Sequence, residues 1–202
     1  MSTFCLTSLS GKAQEIKLPV PDKTGGISVM EAFWQRKTDR KFSNKVLSEK
    51  ELSNLLWAAC GVNRADSGKR TNPTANNAQE ISVYVFLSDC VCMYDHSTHS
   101  LKTVVDGDHR NILAMGQDFV LQVPVTLVIV VDMEKFGDRY EMMQPMGAAD
   151  AGIVSQNINL FCAAYGLCTV TRGTMNREAV SKLLGLTEKQ IPMLNNPVGH
   201  GK

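Results

Sequence analysis

The run Gly147-Ala148-Ala149-Asp150-Ala151-Gly152-Ile153-Val154-Ser155-Gln156-Asn157-Ile158-Asn159-Leu160-Phe161-Cys162-Ala163-Ala164-Tyr165 decides the architecture. Its spacing predicts one long helix over Gly147 to Tyr165, ended by Gly166. Ala148, Ala151, Gly152 and Ser155 recur at i, i+3, i+4 and i+7 as a face of small residues. Val154, Ile158, Phe161 and Tyr165 recur at i, i+4, i+7 and i+11 as a bulky face. A surface helix needs one apolar stripe, so two predict burial on both sides, with the small one admitting another backbone closely. One chain is not expected to cover both. The helix is therefore expected where two copies meet and each residue acts twice, the alternative being the central core helix of a monomer.

On the C-terminal side of this helix, Leu167 to Thr171 reads as a strand, Arg177 to Leu184 as a short helix and Pro192 to Val198 as an extended piece. On its N-terminal side, Pro124 admits Val125 to Val131, an apolar strand with the character of a sheet centre. Asp108 to Gln122 is expected to be helical. Ile81 to Leu87 alternates as a strand, and Val91 to Tyr94 with Leu101 to Val105 suggests a hairpin. Ser48-Glu49-Lys50-Glu51 is a capping box that opens a helix with the stripe Leu52, Leu55, Leu56 and Ala59, stopped by Gly61. Ser28 to Lys37 reads as a helix with Val29, Phe33 and Trp34 on one face, and Arg64 to Gln79 as a polar loop. With no repeat and no linker, these elements predict one α+β domain over residues 27–202. Residues 1–26 are expected to be an extended arm, given Pro19, Pro21, Gly25 and Gly26. Within it, Phe4 to Gln14 ends in small residues like the tail of a secretory signal but lacks a basic start. A signal remnant and a plain arm both fit, so the cytoplasm is the default location and export to a periplasm the alternative.

A chain of 202 residues buries roughly 70% of its unfolded surface without disulfide staples. Hydrophobic residues at 44% and charged residues at 20% exclude wholesale disorder. Lys+Arg 21 against Asp+Glu 20 leaves +1, too little for a general nucleic-acid or anionic-membrane binder. No apolar run reaches the ~20 residues of a membrane helix. The six cysteines read as small buried hydrophobes; Cys90-Val-Cys92 lacks metal-ligand spacing, and the four histidines form no H-E-x-x-H, so no metal ligands are expected.

Four stretches could carry chemistry. Arg36-Lys37-Thr38-Asp39-Arg40-Lys41 packs four cations and a hydroxyl at a helix end, a pattern that suits phosphate, although a solvated helix C-terminus fits it too. Arg70 to Gln79 gathers short amides and hydroxyls before a strand, able to read the rim of a heterocycle, or simply to turn. Arg172-Gly173-Thr174 ends a strand on glycine, where backbone can approach a planar ligand. The C-terminus, Pro197-Val198-Gly199-His200-Gly201-Lys202, ends on a cation. There is no G-x-G-x-x-G, no Walker loop, no G-x-S-x-G and no triad.

In this order and spacing, from about residue 27 onward, these stretches resemble the FMN-dependent nitroreductase family. Leu55 to Arg64, Pro73 to Gln79, Gln117 to Pro124 with the strand after it, Gly166-Leu167 and Pro197-Val198-Gly199 add to the likeness. It is nearest to short members related to the flavin oxidases of thiazole-forming pathways. The resemblance implies a mainly antiparallel sheet flanked by helices, in an intertwined homodimer with two FMN sites lined by both chains. It implies that Arg36, Lys37 and Thr38 hold the phosphate, that Arg40 reaches the flavin N1/O2 side, and that Lys202 closes on the phosphate. Pro73, Thr74, Ala75 and Asn77 match the loop that packs on the partner's flavin, and Gly173 the backbone donor near flavin N5. Gln117 and Arg172 complete the implied cofactor-binding set. Arg172 stands where many members carry an acid, and only a short connection separates Val131 from Gly147 where others insert substrate-shaping helices. The implied activity is transfer of hydride from NADH or NADPH through FMN to a nitroaromatic, quinone or similar acceptor. Oxidation of a small or peptide azoline, and a flavin-binding dimer without turnover, are the alternatives. No side chain is assigned as catalytic, because the flavin carries the electrons.

Overall fold

A computed structural model describes residues 15–202 of the chain; the segment Phe4 to Gln14, read as signal remnant or arm, lies outside the described residues. In chain order the elements are β1 Glu15–Lys17, α1 Val29–Gln35, α2 Glu49–Cys60, β2 Val62–Arg64, β3 Lys69–Arg70, β4 Ile81–Phe86, β5 Cys90–Asp95, β6 Ser100–Asp106, α3 Asn111–Ala114, α4 Phe119–Gln122, β7 Val125–Asp132, α5 Gln144–Ala164, β8 Leu167–Thr169, α6 Arg177–Leu184 and β9 Gln190–His200. Short 3-10 turns cover Ala75–Asn77 and Met133–Arg139.

Seven strands form one sheet in the order β1-β6-β5-β4-β7-β9-β8, every neighbouring pair antiparallel. Alternate residues of β4 and β7 explain why both read as apolar. Ile81, Val83 and Val85 with Val125, Leu127, Ile129 and Val131 join the core that α2 and α5 cover. Tyr84, Phe86, Val128 and Val130 join a second core on the opposite face, beneath α3, α4 and α6. A strand buried on both faces has no polar side to show, which is the pattern of Val125 to Val131.

Helix α2 starts as its sequence dictates. Glu51 N–H donates to Ser48 Oγ at 3.2 Å, and Ser48 N–H donates back to Glu51 Oε2 at 2.7 Å. We expect Ser48→Ala to cost about 1 kcal/mol, the usual value of an N-cap, read as a lower urea midpoint at unchanged slope.

Three expectations are corrected. Asp108 to Gln122 is not one helix: α3 and α4 are single turns, interrupted where Met115 and Gly116 turn left-handed at φ 46° and 80°. The arm excluded from the domain contributes to it, because Glu15 to Lys17 pair with Lys102 to Ser100 as an edge strand. One chain also covers most of both stripes of α5. Ala151 and Ser155 are buried along with Val154, Ile158 and Phe161, and Ser155 Oγ donates to Asn196 Oδ1 of β9 at 2.8 Å. Ala148 stays exposed, and a Cβ added at Gly152 would meet nothing within 4 Å. Gly147 is where α5 approaches the sheet: a Cβ there would lie 2.8 Å from Val131 Cγ1. By contrast, the predicted apolar face of α1 lacks a cover. Val29, Phe33 and Trp34 are exposed, Trp34 by 86%, and only Ala32 of that helix is buried.

Candidate functional site

The cation stretch hangs across the ends of β8 and β9. Asp39 N–H donates to Thr169 O at 3.0 Å, Ser43 N–H to His200 O at 2.8 Å, and Lys202 N–H to Lys41 O at 3.1 Å. Phe42 anchors the crossing: it is buried, bridges to Gly201 and stacks on Phe119 with ring centroids 6.0 Å apart. Gly199 is required beneath it, since a Cβ there would sit 3.0 Å from Pro124 Cδ and 3.3 Å from Phe42. Arg36 caps α1 with its N–H on Ala32 O. Arg36, Lys37, Thr38, Arg40, Lys41 and Lys202 all face solvent. Lys37 leans on Asp39 at 3.5 Å, and the Lys41 N–H on Asp39 holds that carboxyl below its ordinary value. The structure thus places Lys202 beside Lys41, at the end of the stretch Arg36 to Lys41.

Arg172 lies behind that surface and is only 5% exposed. Its Nη1 donates to Asn195 Oδ1 at 2.6 Å, Nη2 to Leu113 O at 2.9 Å and Nε to Gln117 Oε1 at 3.1 Å, while the guanidinium carbon sits 5.6 Å from the Phe119 ring centroid. Burial, with the nearby Arg40 charge adding to it, lowers its pKa. Arg172 and Gln117 therefore come together, bound to the fold and to each other. Gly173, next in the chain, is exposed.

The loop Pro73 to Asn77 is built elsewhere. Ala75 N–H donates to Asp150 Oδ2 at 2.7 Å, and Gln79 N–H to Thr74 Oγ1 at 2.9 Å. Asn76, Asn77 and Gln79 are left-handed, with φ of 55°, 55° and 52°. Asparagine tolerates that region better than other side chains, a local reason for the two amides. Asp150 attaches this loop to the N-terminal part of α5, whereas Thr171, two residues beyond Thr169, bonds to Ser155 and Asn159. From Asp150 to Asn159 the helix rises roughly 13 Å. Within one chain the loop and the cation stretch are thus joined to different parts of α5.

Sequence reasoning missed a buried polar cluster beneath that loop. Arg70, Asn72, Glu80 and Asp150 are all buried. Arg70 Nη1 donates to Ile81 O at 2.9 Å and Nη2 to His96 Nε2 at 2.7 Å. Burial, then the Arg70 charge, pushes His96 down to about 4, leaving it a neutral acceptor. Two signals were readable. Asp150 is the one charge between Gly147 and Tyr165, and Glu80 opens an otherwise uncharged strand.

A model of the nitroreductase family matches residues 34–200, from Trp34 through the cation stretch and loop to the end of β9. The chain belongs to the nitroreductase family. A curated relative from Methanocaldococcus jannaschii that carries a nitroreductase name is 29% identical over 202 residues, covering 94% of this chain and 98% of its own. A crystal structure from Ralstonia eutropha, also named for a nitroreductase, is 37% identical with a TM-score of 0.87 and covers 93% of this chain and 90% of that one. The NADPH:FMN oxidoreductase of Vibrio harveyi, solved with NAD+, shares the fold at 20% identity and a TM-score of 0.61, covering 86% and 69% of the two chains. This nitroreductase-family chain has the mixed helix and antiparallel-sheet architecture of those structures. None of its described helices is long and apolar enough to cross a membrane.

Proposed function

We propose that this chain is an FMN-dependent oxidoreductase that takes hydride from NADH or NADPH and passes it to a nitroaromatic, quinone or similar small acceptor. The observation that carries this reading is the exposed cation surface on a nitroreductase-family chain. Arg36, Lys37, Arg40, Lys41 and Lys202 gather there, and among the described residues only Lys37 of the five has a carboxylate partner. A surface with such an excess of cations fits a phosphate, and Arg40, with the buried Arg172 charge behind it, fits a ring that gains negative charge. The likeness in fold to an NADPH:FMN oxidoreductase agrees with it.

In this reading FMN supplies the two-electron chemistry. Arg36, Lys37, Thr38 and Lys202 hold its phosphate. Arg40 would lie at the N1/O2 side, where a guanidinium favours the reduced ring. Arg172 and Gln117 act from behind, holding the Arg40 side of the site through Phe119 and Asn195 rather than touching the ring. Gly173 offers exposed backbone at the N5 side. Pro73, Thr74, Ala75 and Asn77 come from a second copy of the chain, consistent with their attachment to another part of α5. The uncovered Val29, Phe33 and Trp34 of α1 support that homodimer, since exposed apolar patches mark interaction surfaces.

The test is flavin titration of two alanine variants. Arg36→Ala is expected to weaken FMN binding about ten- to a hundredfold, or roughly 1.5–3 kcal/mol, through one lost charge-assisted bond. Lys45→Ala, a nearby cation outside the stretch, is expected to leave it unchanged. Equal losses would reduce the stretch to a solvated helix end.

A further inference from the structure

Glu80 is 1% exposed, and neither of its carboxylate oxygens has a hydrogen-bond partner when it is counted as ionised. A buried carboxylate without donors is costly, so it requires an explanation. The neighbour at hydrogen-bonding range is another carboxyl, Asp150 of α5, itself 6% exposed. Asp150 uses Oδ2 to accept the Ala75 N–H at 2.7 Å. The charged group on the other side, Arg70 of β3, spends Nη1 on Ile81 O and Nη2 on His96, and its Nε is unpartnered. Behind Arg70 lie the neutral His96, Tyr94 and the Cys60 thiol. Arg70 and the Glu80 backbone N–H oppose the shift, but burial and the carboxyl neighbour outweigh them, and two carboxyls at this range are satisfied when one carries a proton. A proton on Glu80 donates to Asp150, whose Oδ2 accepts the Ala75 N–H.

We propose that Glu80 and Asp150 share one proton and that this shared proton holds the strained loop Pro73 to Gln79 closed, making both carboxyls positioning residues. Burial first, and then the bond with Asp150, pushes Glu80 up to about 7 from 4.5. In the unfolded chain the same carboxyl ionises near 4.5. The contribution of the pair is therefore complete below pH 4.5 and is lost as pH rises through 7. Above that, two adjacent carboxylates repel, and the loop, with three left-handed residues to keep in place, loses its anchor. The consequence for the cofactor rests on the reading that this loop packs on a partner's flavin: FMN retention should then weaken above neutral pH.

The experiment is amide hydrogen exchange of residues 74–79 in the flavin-free full chain at pH 6 and pH 8.5, corrected for the intrinsic rate. Wild type is expected to lose about tenfold in protection, the equivalent of one pK unit of linkage. Glu80→Gln, which donates an N–H at every pH, is expected to stay protected at both. Asp150→Asn removes the partner but leaves Glu80 buried and ionisable, so it should keep only part of the wild-type loss. Constant protection in wild type, or the same loss in both variants, would overturn the proposal. Because exchange is read without flavin, failure here is separate from failure of the FMN reading. An FMN affinity that ignores pH while exchange responds would leave the pair standing and remove the loop from the flavin.

Discussion

Arg172→Ala is expected to lower stability by about 3 kcal/mol or more, a fall of roughly 6–12 °C in melting temperature for a domain of this size. The reason is what the guanidinium leaves behind. Leu113 O, Ala114 O and Asn195 Oδ1 all take hydrogen bonds from it in a buried site, and each costs about 1–3 kcal/mol when left without a donor. The two carbonyls also fix α3, the single turn that precedes the kink at Met115, so the loss reaches the core beneath α3, α4 and α6. Arg172→Lys should recover little, because an ammonium cannot fork across Asn195, Gln117 and two carbonyls at once. Arg177→Ala is the control: this exposed arginine reaches Pro192 O at 3.0 Å, and its removal should cost less than about 1 kcal/mol. Thermal unfolding followed by circular dichroism checks all three. Equal stabilities for Arg172→Ala and Arg177→Ala would mean that water enters and satisfies the carbonyls.

The second large effect separates two neighbouring residues on α5. Ala151 is fully buried within its own chain, so Ala151→Leu overpacks the core of one copy and should cost about 1–3 kcal/mol of folding stability. Gly152 faces open space. In an isolated chain Gly152→Leu should be neutral or stabilising by about 0.5–1 kcal/mol, because leucine favours the helix. In an isologous dimer packed on this face, the same leucine meets its copy and the penalty is paid twice. A cost of about 1–3 kcal/mol per contact then becomes roughly 2–6 kcal/mol of dimer free energy. Sedimentation velocity is expected to show a wild-type dimer and a Gly152→Leu monomer that remains folded. A wild-type monomer, or a Gly152→Leu dimer of unchanged affinity, would place the interface elsewhere.

What could be read from the sequence was what is local. The capping box at Ser48, the apolar run of β7 and the helix Arg177 to Leu184 each carry their signal within a few residues, and all three stand in the structure. Pairing across distance left weaker traces. Glu15 to Lys17 form a strand only because Ser100 to Lys102 offer an edge, and a three-residue segment shows too little alternation to reveal that. The kink at Met115 was hidden because apolar spacing runs on through Asp108 to Gln122 while one methionine adopts a conformation that its type rarely takes. The two faces of α5 were recognised, but what covers them was not. Periodicity shows that a side is buried without naming the element that buries it, and β9, forty residues onward, supplies much of the cover.

The candidate site divides in the same way. Arg36 to Arg40 and Lys202 read as an excess of cations in the sequence; in the structure Asp39 bonds to Thr169, Ser43 to His200, and Lys202 to Lys41. Arg172 was legible as a residue near the site but not as a buried one, since its four partners come from two distant stretches, residues 113–117 and Asn195. The Glu80–Asp150 pair spans seventy residues, so no spacing rule could join it.

The most direct measurement of the central claim is anaerobic titration of the FMN-loaded protein with NADH and then NADPH, followed by flavin absorbance. The account predicts stoichiometric bleaching of the bound flavin by at least one of the two, with colour restored by a quinone or nitroaromatic. A protein that retains no FMN after reconstitution, or one whose bound flavin neither donor bleaches, would contradict it.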